Sequence, residues 1–146
     1  MTTERSSGPA QTEAIGARLA AGLGPGDLVL VGGELGTGKT TLIRGACREL
    51  GVTEPVVSPT FTIGRRYRGR VLVSHLDLYR LQSLTGEDPG MLDDYLTSDA
   101  VAFVEWPAAA EPLLGERGIA RWVELRHAGG DRREVSVRDD PSGGEG

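Results

Sequence analysis

The stretch Gly33-Glu34-Leu35-Gly36-Thr37-Gly38-Lys39-Thr40 constrains the fold of this chain more than any other. It matches the phosphate-cradling pattern G-x-x-x-x-G-K-[ST] at every fixed position. That pattern works as the turn between a strand and a helix, and its flanks supply both. Leu28-Val29-Leu30-Val31 is a short apolar run that predicts a buried strand, while Leu42, Ile43, Ala46, Cys47 and Leu50 recur at helical spacing. Glycine at 33, 36 and 38 lets backbone N–H groups turn inward onto a polyphosphate. A helix beginning near Lys39 adds its partly positive N-terminus. In such a loop Lys39 reaches the β- and γ-phosphates and the Thr40 hydroxyl ligates Mg²⁺. Lys39 is the only lysine among 16 basic residues. An ordinary glycine-rich turn is the competing reading, and the agreement of pattern with context weighs against it.

Charge bounds the partners. A net charge of −5 argues against independent binding to nucleic acid, which needs a basic footprint. The local exception, Arg65-Arg66-Tyr67-Arg68-Gly69-Arg70, reads as a hairpin tip with solvated arginines; contact with RNA or an acidic partner is the alternative. No apolar run approaches the roughly 18 residues of a membrane span. Met1-Thr2-Thr3-Glu4-Arg5 lacks the layout of a signal peptide. The single cysteine, Cys47, lies on the apolar face of the helix after the loop and suits core packing. These features predict a cytoplasmic protein with no membrane association.

The 146 residues suit one domain, taken as 9–138, between flexible tails at 1–8 and 139–146. From Pro9 a helix is expected, with Ile15, Leu19 and Leu23 on one face and Gly24-Pro25-Gly26 as its end. A strand at 28–32, the loop and a helix over roughly 40–50 follow, closed by Gly51. Residues 61–67 and 70–77 predict two strands of a hairpin through Arg68-Gly69. The stretch 78–99 is acidic and irregular, with a short helix expected at 91–96. A strand at 101–105, a short helix and turn over 108–118, and two closing strands, 119–126 and 133–138, complete the chain. The class expected is α/β: a P-loop NTPase-like, mainly parallel sheet with antiparallel additions and helices on both faces.

A phosphate loop alone only binds. Hydrolysis also needs a second hold on Mg²⁺ and a group that orients water. Two apolar strands end in a carboxylate, Asp77 and Glu105, as ligands at the carboxyl edge of such a sheet do. Composition leaves open which meets the metal and which handles water. Ser58, Thr60 and Thr62 around Pro59 could sense the γ-phosphate as a switch loop, or could form a hydroxyl-rich turn that satisfies its own backbone. His75 shares a strand face with Asp77 and reads as packed or hydrogen-bonded rather than as a base. Trp106, following Glu105, flanks the site or packs in the core.

Three rivals share the loop. A small-molecule or nucleotide kinase would need an acceptor domain and lid for which this chain is short. A GTPase of the usual kind carries Asn-Lys-x-Asp, and the chain contains no asparagine. A nucleotide-gated binding module stays compatible with slow hydrolysis.

Gly33 to Thr41, Ser58-Pro-Thr-Phe-Thr62, His75-Leu-Asp-Leu-Tyr-Arg80 and Val104-Glu-Trp-Pro107 together resemble the TsaE family, formerly YjeE, in order and spacing over roughly residues 9–138. The resemblance implies a small P-loop ATPase that works with TsaD and TsaB. That complex places threonylcarbamoyl on the adenosine beside the anticodon of tRNAs reading ANN codons, and tRNA is met through the complex. By the same resemblance Leu35, Gly36, Thr37, Gly38, Lys39, Thr40 and Thr41 hold the phosphates of ATP or ADP. Thr40 and Glu105 bind Mg²⁺, Asp77 acts in hydrolysis, Trp106 lies near the site, and Thr12 with Arg132 or Arg133 approaches the nucleotide. Two departures stand out: Glu34 replaces the family's usual aspartate, and Leu84-Thr-Gly-Glu-Asp-Pro-Gly90 replaces an acidic helix start.

Overall fold

The structure, a computed structural model, describes residues 2–34, 36–57, 64–78, 92–105 and 118–139. Among the described residues seven strands form one sheet: β1 (Thr2–Ser6), β2 (Leu28–Gly33), β3 (Gly64–Arg68), β4 (Leu72–Asp77), β5 (Ala100–Glu105), β6 (Arg121–His127) and β7 (Arg133–Asp139). Their order is β1-β7-β6-β2-β5-β4-β3. The central strands β6, β2, β5 and β4 are mutually parallel. Antiparallel β7 and β1 extend the sheet on one side and β3 on the other. The fold is therefore the mainly parallel α/β sheet with antiparallel additions that the sequence implies. Parallel strands buried on both faces need near-continuous apolar runs, and β5 is buried at all six of its residues.

Alternation divides the core. Val29, Val31, Val73, Val101, Phe103, Val123 and Leu125 point to one face, where the helices α1 (Pro9–Ala20) and α2 (Lys39–Glu49) bring Ile15, Leu42, Ile43, Ala46 and Cys47. Leu28, Leu30, Leu76, Ala102 and Val104 point to the other, against Leu92 and the partly buried Tyr95 and Leu96. Both described α-helices lie on the first face. The expected short helix at 108–118 and the acidic stretch 79–91 fall outside the described residues.

Helix α1 touches α2 almost backbone to backbone. A Cβ built on Gly16 would stand 2.0 Å from the Leu42 carbonyl oxygen, and one on Gly45 2.0 Å from that of Glu13. The Glu13 carboxylate bridges to Arg48 at 2.8 Å and Arg44 at 4.0 Å across the same contact. At its other end α2 stops where expected: Leu50 caps it and Gly51 takes φ +91.

Residues 2–6 correct the expectation of a tail at 1–8. They form β1, paired along its length with β7, and Ser6 is buried. Thr-Thr-Glu-Arg-Ser carries no apolar alternation, so the signal that marks a strand is missing; the open edge of β7 supplies the pairing instead. The arginine cluster is corrected in part. Arg65, Arg66 and Arg68 belong to β3 rather than to the tip of its hairpin. Arg70 donates to the Glu49 carbonyl at 2.7 Å, serving a carbonyl at the end of α2. No described helix is long and apolar enough to cross a membrane.

Cys47 is fully buried, and burial pushes its thiol up to about 12. The thiolate is the reactive form, so the native protein should resist Ellman's reagent at pH 8 and release one thiol equivalent on denaturation. Rapid labelling of the native protein would place Cys47 outside the core.

Candidate nucleotide site

The parallel strands deliver their last residues to one edge: Gly33 from β2, Asp77 from β4, Glu105 from β5 and His127 from β6. Asp77 stands opposite Glu105 in the β4–β5 register. Alternation puts both on the helix-bearing face together with His75, and α2 starts there. The two carboxylates found by reading strand ends are thus brought together, beside the helix whose N-terminus carries Lys39 and Thr40.

The loop is shaped by close approach. Gly33 has φ +145, and a Cβ there would meet the Leu125 carbonyl oxygen at 2.6 Å and the Thr37 hydroxyl at 2.8 Å. Gly38 has φ +98 and caps α2 in the left-handed region. Thr37 is fully buried, its hydroxyl donating to the Glu34 carbonyl at 2.7 Å. Lys39 is 8% exposed and donates through Nζ to the carbonyls of Gly33 (2.9 Å) and Glu34 (3.1 Å). Burial lowers its pKa below the usual lysine range, against the opposing charges of Glu105, Asp77 and Glu124. Its ammonium therefore lies in the field of both strand-end carboxylates.

Thr40 donates its hydroxyl to Glu105 Oε2 at 3.2 Å. Two hard oxygen donors, one from the loop and one from a strand end, suit Mg²⁺, and a loop whose Gly36 and Gly38 hold φ +78 and +98 suits a polyphosphate. The residues present therefore fit both groups.

Thr12 is buried, bonded to Ser6 at 2.7 Å, with its methyl 3.7 Å from where a Cβ on Gly38 would lie. Arg133 donates to the Gly36 carbonyl at 3.0 Å. Both thus lie against the loop, whereas Arg132 is exposed. Thr41 occupies the first turn of α2 and is partly buried. Leu35, Trp106 and the Ser58–Thr62 segment fall outside the described residues.

Sequence reading passed over two neighbours. His127 lies beside Gly36 and lines, with Glu34, Glu124, Leu125 and Arg126, a pocket of about 290 Å³. Its signal was available, since it ends a parallel strand as Asp77 and Glu105 do. The other is the partner of His75: the ring is fully buried and Nε2 stands 2.6 Å from Glu105 Oε2. Strand spacing placed His75 near Asp77, but only the β4–β5 pairing sets it against Glu105.

Comparison with known proteins shows the family. Residues 6–135 match the sequence model of the family described as threonylcarbamoyl adenosine biosynthesis protein TsaE. The tRNA threonylcarbamoyladenosine biosynthesis protein TsaE of Bacillus subtilis (strain 168) is 39% identical over 133 residues, covering 90% of this chain and 82% of its own. The protein of the same name from Streptomyces coelicolor is 48% identical over 96 residues, 63% of this chain and 64% of its own. The crystal structure of YdiB, also from Bacillus subtilis, superposes with a TM-score of 0.78 at 31% identity, over 99% of this chain and 88% of that one.

Proposed function

The chain belongs to the TsaE family, and from that premise we propose that it is a Mg²⁺-dependent ATPase that supports formation of threonylcarbamoyladenosine in tRNA as a partner of TsaB and TsaD. The observation that carries the reading is the Thr40–Glu105 contact at 3.2 Å beside a buried Lys39. It joins the loop's hydroxyl to a strand-end carboxylate, the pairing that P-loop ATPases use at the metal.

In this reading the inward-facing N–H groups of the loop and the N-terminus of α2 bind the phosphates. Lys39 turns its ammonium from the Gly33 and Glu34 carbonyls to the β- and γ-phosphate oxygens. Thr40 and Glu105 would hold Mg²⁺, which when bound supplies charge neutralisation at those oxygens. Asp77, buried and level with Glu105, would accept a hydrogen bond from the attacking water and so orient it. Thr12 and Arg133 keep the loop in place from its two sides.

ATP turnover by the purified chain, alone and then with TsaB, TsaD and tRNA, tests the proposal. Slow turnover alone and stimulation in the mixture are expected. Calorimetry that finds neither ATP nor ADP bound in Mg²⁺ would overturn it, and stimulation by a small hydroxyl acceptor instead of the partner proteins would indicate a kinase.

A further inference from the structure

Strand β4 carries one imidazole where the fold calls for an apolar residue. His75 stands between Val73 and Asp77 on the helix-bearing face, opposite Phe103 of β5, and is 0% exposed. Burying a polar ring there costs free energy that only a good hydrogen bond offsets. One nitrogen has such a bond: Nε2 lies 2.6 Å from Glu105 Oε2. The other, Nδ1, is buried with no hydrogen-bond partner among the described residues. An N–H at Nδ1 would be an orphaned buried donor, so the ring proton belongs on Nε2, where an acceptor waits. The histidine therefore donates to the carboxylate.

The same Oε2 accepts the Thr40 hydroxyl at 3.2 Å. Glu105 is thus held by two donors from two different elements, strand β4 and helix α2. Without them its terminal torsion is soft, since sp³–sp² rotations are broad. We propose that His75 is a positioning residue for the cation site: its Nε2–H fixes the plane of the Glu105 carboxylate so that the carboxylate and Thr40 meet Mg²⁺ together. This rests on the reading of Glu105 as a metal ligand. It adds a residue that touches neither nucleotide nor cation and acts through Glu105 alone.

The test is the affinity of a fluorescent ADP analogue, measured with Mg²⁺ and again with EDTA, together with the melting temperature. His75→Leu removes the donor. Its affinity in EDTA should match the parent protein, while the gain conferred by Mg²⁺ should fall by roughly 10–100-fold, the usual effect of removing a group that orients a metal ligand. His75→Gln places an amide N–H near the position of Nε2 and should restore most of that gain. His75→Asn is too short and should not.

Equal losses with and without Mg²⁺ in His75→Leu would mark a packing role and overturn the inference. So would an undiminished Mg²⁺ gain. If His75→Leu does not fold, the Gln and Asn variants decide: the same Mg²⁺ gain in both overturns the proposal, and retention by Gln alone supports it. Failure of the functional reading looks different, because then the parent protein itself gains nothing from Mg²⁺. Glu105→Gln gives the reference for loss of the ligand.

Discussion

Replacing Lys39 with alanine should lower affinity for ATP by about 100-fold or more and abolish turnover, with the fold retained. Three features set the size of the effect. Lys39 is the only lysine in the chain, so no second ammonium can take over. It is 8% exposed, so its interaction with phosphate is poorly screened by water. Its Nζ already stands at the loop, against the carbonyls of Gly33 and Glu34, so the side chain is ordered before it turns to the phosphates. Charge-assisted hydrogen bonds contribute about 1.5–3 kcal/mol each, and losing two gives about 3 kcal/mol or more, which is the 100-fold stated.

The same lysine gives the binding curve a pH signature. Burial lowers its pKa from the ordinary 10.5. Its charge is present below the lowered value and lost as pH rises through it, so affinity for ATP should begin to decline at a pH below 10.5. Fluorescence titrations across the alkaline range should show that decline in the parent protein and not in Lys39→Ala. Affinity within threefold of the parent, or an unchanged alkaline limb, would overturn the loop assignment.

Much of this site was legible because its signals are local. A loop motif, and apolar strands that end in Asp77 and Glu105, can be read residue by residue, and parallel pairing then brings the ends together. The mainly parallel sheet followed from the same runs. What escaped depends on partners far apart in sequence. β1 has no alternation of its own and exists because β7 offers an edge. The His75–Glu105 bond spans 30 positions and is set by strand register. Arg70 shows in sequence only as one of a run of arginines, yet its guanidinium meets a carbonyl of α2 across the hairpin. Gly16 and Gly45 escaped for a different reason: inside a helix a glycine registers as a weak helix former, and its use appears only when a second helix lies against it.

Gly45→Ala should therefore destabilise the protein although helix propensity predicts the reverse. On propensity alone the alanine gains about 1 kcal/mol. Against that, its Cβ would stand 2.0 Å from the Glu13 carbonyl oxygen, 2.6 Å from the carbonyl carbon and 2.7 Å from the Cα. These are backbone atoms, and no rotamer can move them aside. Relief requires α1 to shift, and α1 is anchored by Ile15 in the core. Overpacking of this kind costs about 1–3 kcal/mol and more where the backbone must give, so a net loss of about 2 kcal/mol is expected. For a chain of this size that lowers the melting temperature by roughly 4–8 °C. The displacement should also reach the nucleotide site, because α1 carries Thr12 against Gly38. ATP affinity should fall with stability, as no surface substitution on α1 would make it do. Gly16→Ala, whose Cβ meets the Leu42 carbonyl oxygen at 2.0 Å, asks for the same movement. The double variant should consequently lose less than the sum of the singles, since one shift of the helix relieves both contacts. Urea denaturation of the three variants measures this directly. Equal or higher stability in Gly45→Ala would mean that the two helices do not meet at their glycines.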